Sequence, residues 1–143
     1  MYIISACLVG VNCKYNGESN KDDDIINFLK DKNYVPICPE QLGGLTTPRN
    51  PVEIIGDKAL DEDGIDYTLN FVKGAEESLK IVEMMKDIEG IILKDGSPSC
   101  GSNKIYDGTF SNQKINGMGY TAKLLKEKKY LIFSEKELLE KIK

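Results

Sequence analysis

The chain contains no histidine. That gap removes the Ser-His-Asp and Cys-His catalytic arrangements and every imidazole metal ligand. Any metal in this protein is therefore held by thiolates and oxygens. Long apolar runs are missing too: stretches such as Gly90 to Leu93 fall far short of the roughly 20 residues that cross a bilayer. The opening MYIISACLVG has neither the basic start nor the long apolar stretch of a secretory signal, which predicts a cytoplasmic protein whose thiols stay reduced. No C-x-x-C pair occurs, so a redox disulfide is the weakest reading of the cysteines. Repeats, linkers and low-complexity tracts are also lacking.

What remains is an ordinary soluble balance, with 41% hydrophobic and 29% charged residues in 143. That length predicts one domain, residues 1–143, able to bury a core. A net charge of -4 argues against a broad nucleic-acid surface but leaves room for a small nucleobase or nucleotide.

Periodicity predicts alternating strands and helices. MYIISA reads as a buried strand, and Lys21 to Lys32 as a helix with acids near its start, where the helix dipole favours them. NYVPIC reads as a second strand, at an edge because of Pro36. Residues Pro39 to Pro51 read as a Gly- and Pro-punctuated loop, and VEIIG with DKALDEDG as a ribbon outside the main sheet, with a turn at Asp63-Gly64. Leu69, Val72, Ala75, Leu79 and Val82 recur at helical spacing between Asp66 and Asp87, with Gly74 a poor helix former among them. GIILK is a third strand, followed by irregular chain to about Gly119. TAKLLKEKK is a helix, YLIFS a fourth strand, and Ser134 with Glu137 has capping-box spacing for a last helix. The sum is an α/β fold: a mostly parallel, four-stranded open sheet with helices on both faces, flavodoxin- or Rossmann-like.

In such sheets ligands gather beyond the carboxyl ends of the strands. Cys7 follows strand one, Cys38 ends strand two and Cys100 follows strand three, so these three thiols are expected at one edge. Three thiolates can hold a soft metal or most of an iron–sulfur cluster, leaving one iron open as a Lewis acid. Cys13, in GVNCKYNG, lies past the glycine of the first turn and reads as a loop thiol, with a fourth-ligand role as the alternative. Other readings stand beside these: free cysteines serve as small buried hydrophobes, and four thiolates can close a structural zinc site. Glu40 is a candidate general acid/base if burial raises its pKa, or a partner for nearby backbone N–H groups. Ser97 and Ser99 can donate hydrogen bonds to a ligand or simply make a turn. Arg49 and Lys94 can grip an anion or a carbonyl, or pair with local acids. Gly117 and Gly119 before a helix suit either an anion or a tight connection.

The motifs SACLVG, CKYNG, CPEQLGGLTTPRNPVEI, LKDGSPSCG, IYDGTF and GMGYTA occur in an order that resembles the thiouracil desulfidase family, from Ile4 to Ser134. The resemblance implies a hydrolytic desulfidase that converts thiolated nucleobases such as 2-thiouracil to the oxo base and sulfide. It implies a [4Fe-4S] cluster held by Cys7, Cys38 and Cys100, with Ser97 and Glu40 as catalytic helpers. Ser99, Arg49 and Lys94 are expected to bind substrate. Where family members carry Arg-Tyr-Asp-Gly, this chain has Lys14, Tyr15, Asn16 and Gly17. Two alternatives remain open at this stage: a sulfur carrier using the same cluster, and a non-catalytic zinc- or cluster-binding module.

Overall fold

The computed structural model describes residues 1–142. Its centre is a parallel sheet of β1 (Tyr2–Ser5), β2 (Tyr34–Ile37), β5 (Gly90–Leu93) and β8 (Ile132–Ser134), ordered β2-β1-β5-β8. Side chains alternate across it, as the pleat requires. Ile3, Ile91 and Leu93 pack on one face with Val82, Ala122 and Leu125, from α3 (Thr68–Met84) and α4 (Tyr120–Glu127). Ile4 and Ile92 pack on the other with Ile25, Leu29 and Leu138, from α1 (Asp23–Leu29) and α5 (Glu135–Lys141). The expected α/β architecture, with both faces covered, is the one observed. Pro36 lies on edge strand β2, where its missing N–H costs no ladder bond.

Local signals account for most boundaries. Asp22 caps α1 by accepting the N–H groups of Asp24 and Ile25, so this helix begins after Lys21 and is shorter than expected. Ser134 and Glu137 form the expected reciprocal capping box of α5. The ribbon β3 (Val52–Ile55) and β4 (Lys58–Asp61) stands outside the main sheet, as expected.

Three expectations need correction. The loop from Pro39 opens with a single helical turn, α2 (Pro39–Leu42), with Cys38 extended at its N-cap; proline at the first helical position favours such a start. The chain before Gly119 carries a second hairpin, β6 (Lys104–Tyr106) with β7 (Lys114–Asn116). The buried stripe of α3 is Phe71, Gly74, Ala75, Ser78 and Val82, while Leu69 is 83% and Val72 37% exposed. The stripe turns that way because backbone meets backbone. A Cβ on Gly74 would come within 2.2 Å of the Pro39 carbonyl oxygen, and one on Gly43 within 2.1 Å of that of Asn70. Gly74 is thus a close-approach residue that seats α2, and Glu40 with it, on α3. Gly119 is a tight connection: its Cβ would lie 2.5 Å from the Ser99 backbone.

Candidate active site

The sheet order leaves its switch point between β1 and β5, because the chain leaves β1 toward β2 and later returns to the other side of β1. Doubly wound sheets bind ligands in the crevice beyond those strand ends. A cavity of about 480 Å³ lies there, and all four cysteines line it, with Glu40, Arg49, Lys94 and Ser97. Its further wall comes from the two hairpins and includes Val52, Glu53, Tyr106 and Phe110.

Cys7 lies in a 3-10 turn, Ala6–Val9, that continues β1. Gly10 ends this turn at φ 100°, a left-handed conformation that glycine adopts without strain. The chain then doubles back, with the Val11 N–H donating to the Ala6 carbonyl at 3.2 Å, and returns Cys13 to the cavity. Cys13 is buried and within hydrogen-bonding reach of both Cys7 and Cys38. Cys13 stands in irregular chain, the loop thiol read from the sequence, and the reversal at Gly10 brings it to the cavity wall.

The four thiols divide in two. Cys38 and Cys7 lie below the ordinary thiol pKa, chiefly through hydrogen bonding from Cys13. The Asn20 side chain also lowers Cys7, and the Gln41 N–H and Arg49 lower Cys38, while burial opposes both shifts. The Glu40 carboxylate, 4.0 Å from Cys38 Sγ, raises the same thiol through charge repulsion. Cys13 is pushed up because its proton is held against Cys38 and Cys7. Cys100 is also raised, first by complete burial and then by the Glu40 charge, with a Ser5 hydrogen bond acting the other way.

Beside the thiols, Ser97 Oγ donates to Glu40 Oε2 at 3.3 Å and accepts the N–H groups of Ser99 and Cys100 at 3.1 and 3.0 Å. Arg49 Nη2 lies 3.7 Å from the same Glu40 oxygen and donates to the Cys13 carbonyl at 3.0 Å. The arrangement is a carboxylate oriented by a guanidinium and joined to a hydroxyl whose oxygen faces two fixed N–H groups.

The other expected residues sort themselves by their partners. Ser99 is a correction: its hydroxyl is buried against Thr121 Oγ1 at 2.8 Å and does not line the cavity. Lys94 reaches the cavity wall, but its ammonium is engaged by Glu135 Oε1 at 3.2 Å and the Asp95 carbonyl at 2.8 Å. Buried Glu135 also accepts the Asp95 N–H, so this pair fastens the loop that carries Ser97. Asn16 is exposed, bonds Glu18 and stays outside the cavity, so the Asp-to-Asn departure falls away from the site. Sequence reasoning gave no role to Ser5, Asn20, Glu53 or Phe110, although Ser5, Glu53 and Phe110 stand inside the motifs SACLVG, CPEQLGGLTTPRNPVEI and IYDGTF.

An open α/β fold with a cysteine-lined cavity at its switch point, next to an acid–hydroxyl pair, defines a thiol-centred enzyme site. Residues 2–137 match the 2-thiouracil desulfurase family, and the chain belongs to it. YbbK, an uncharacterized protein of Bacillus subtilis (strain 168), is 42% identical over 148 residues, spanning 96% of this chain and 97% of that protein. The solved structure of TudS, a [4Fe-4S]-dependent thiouracil desulfidase, is similar with a TM-score of 0.89 and 38% identity, over 97% of this chain and 93% of that one.

Proposed function

We propose that this protein is a [4Fe-4S]-dependent desulfidase that removes sulfur from a thiolated nucleobase of the 2-thiouracil type, giving the oxo base and sulfide. The observation that carries the reading is one cavity lined by four thiols and the hydrogen-bonded Ser97–Glu40 pair, in a chain of this family.

The donor set fits such a cluster. The cavity offers four sulfurs and no imidazole, and thiolates are the ligands iron–sulfur clusters take. Cys7, Cys38 and Cys100 would hold it. Cys13 comes from the returning loop rather than from a strand end, and its carbonyl accepts from Cys38 Sγ at 3.9 Å and from Arg49 at 3.0 Å. That position suits a donor to the ligand sulfurs. When bound, the cluster supplies a soft Lewis-acidic iron matched to a thiocarbonyl sulfur.

The chain's own groups supply the proton transfer. Glu40 takes a proton from a water at the cavity wall as that water's oxygen bonds to the thiocarbonyl carbon and the C=S π pair moves to sulfur. The Ser97 hydroxyl meanwhile donates to Glu40 Oε2 along the 3.3 Å contact already present. The Ser99 and Cys100 N–H groups hold the Ser97 oxygen in place during the transfer. Arg49 orients the carboxylate through its 3.7 Å contact with Glu40 Oε2.

Anaerobic reconstitution with iron and sulfide, then incubation with 2-thiouracil, should yield uracil and sulfide. Stoichiometric zinc with no brown cluster would replace this reading with a metal-binding module. A loaded protein that releases sulfur only to an added acceptor would replace it with sulfur transfer.

A further inference from the structure

The IYDGTF segment, residues 105–110, has no part in the chemistry above, yet it supplies cavity wall. Four aromatic residues line the cavity: Tyr15, Phe71, Tyr106 and Phe110. Three already have partners. Phe71 is buried against Tyr120, with ring centroids 5.9 Å apart. Lys114 Nζ lies 5.4 Å from the centroid of Tyr106, and Lys14 Nζ 5.6 Å from that of Tyr15. Among the described residues, half-buried Phe110 has neither an aromatic nor a cationic partner.

Its backbone is held with unusual care. Phe110 adopts φ 56°, the left-handed region that bulky residues avoid unless the surroundings impose it. The imposing group is Glu53, a buried residue of β3 whose Oε1 accepts the N–H groups of both Gly108 (3.0 Å) and Phe110 (3.2 Å). No cation pairs with this carboxylate among the described residues. Gly108 lets the loop lie flat on the ribbon: a Cβ there would come within 2.9 Å of the Ile54 carbonyl oxygen. A buried acid and a disfavoured backbone conformation thus fix one unpartnered ring at the cavity wall.

We propose that Phe110 is the stacking surface for the flat ring of the substrate, and that Glu53 is the positioning residue that sets it. The inference rests on the desulfidase reading and deepens it by naming the contact through which the site favours a planar heterocyclic thiocarbonyl over an open-chain thioamide. A π-face accepts any flat heterocycle, so this contact sets affinity for the ring and leaves the chemistry at the C=S bond alone.

The test compares 2-thiouracil with thioacetamide on the reconstituted holoprotein, and measures uracil binding to the cluster-free protein by calorimetry. Phe110→Ala should raise KM for 2-thiouracil about tenfold or more with kcat nearly unchanged, and weaken uracil binding by a similar factor. Turnover of thioacetamide should not move. Phe110→Leu, which keeps apolar bulk without a π-face, should behave like the alanine variant, and Phe110→Tyr should restore wild-type values. Glu53→Ala should reproduce the Phe110→Ala pattern, whereas Glu53→Gln, whose amide oxygen still accepts both N–H groups, should not. Unchanged KM and uracil affinity in both Phe110→Ala and Phe110→Leu would overturn the proposal, as would an equal loss on thioacetamide. A wild-type protein inactive on every thiocarbonyl would overturn the desulfidase reading instead, and the uracil calorimetry would still decide the stacking claim.

Discussion

The sheet and the two hairpins approach the cavity by different routes. Strands β1, β2 and β5 are pinned by parallel ladders and by side chains buried on both faces, and they deliver Cys7, Cys38 and Cys100 from their carboxyl ends. Hairpins β3–β4 and β6–β7 each have only two strands, and pairs of that size are marginal alone. They gain a place by docking: Val52 and Ala59 on Phe71, and the 107–110 loop on Glu53. The difference teaches a division of labour. The three thiols follow the strands of the parallel sheet. The wall that meets the substrate ring comes from the part fastened by a few replaceable contacts.

Breaking the sheet side should have the largest effect. Alanine at Cys7, Cys38 or Cys100 should abolish both iron retention after anaerobic reconstitution and desulfuration. Cys13→Ser, at the thiol between Cys7 and Cys38, should keep its iron. Iron and sulfide analysis separates the two results, and an iron-free Cys13→Ser protein would move Cys13 into the ligand set. Next comes Glu40→Gln, which should keep the cluster and lower kcat by about 10²–10⁴-fold, the usual scale of general acid–base catalysis.

A smaller effect is expected where helix α2 is seated. Gly74→Ala forces a Cβ toward the Pro39 carbonyl oxygen and should cost about 1–3 kcal/mol, read by thermal or urea unfolding. Because α2 carries Glu40, activity should fall in the fraction that stays folded. Ser134→Ala is the control at the far end of the scale. It removes the α5 cap, should cost about 1 kcal/mol, and should leave KM and kcat where they were. If Gly74→Ala proved as harmless as Ser134→Ala, the glycine contact would not be what positions Glu40.

Legibility followed the same division. The adjacent isoleucines at the centre of β1 and β5 announce buried parallel strands, because burial on both faces demands neighbouring apolar residues. Once strands are known, their carboxyl ends are known, and so are the thiols that follow them. The rotation of α3 was not legible, because Leu69 and Val72 fit the helical period as well as the residues that are buried. Two glycines meeting two carbonyl oxygens settled it, and such a contact joins segments some 30 residues apart with no local trace.

Composition and pattern alone thus determined the fold class, the exclusion of imidazole chemistry and three thiols gathered at one sheet edge, since these depend on periodicity and residue type. Only the tertiary structure decided that Cys13 returns to the cavity, that Ser99 turns away to Thr121, and that Glu53 holds Phe110 at the wall. Each of those outcomes is set by which group a side chain meets after the chain reverses or two elements dock. A linear sequence does not carry the distance between them.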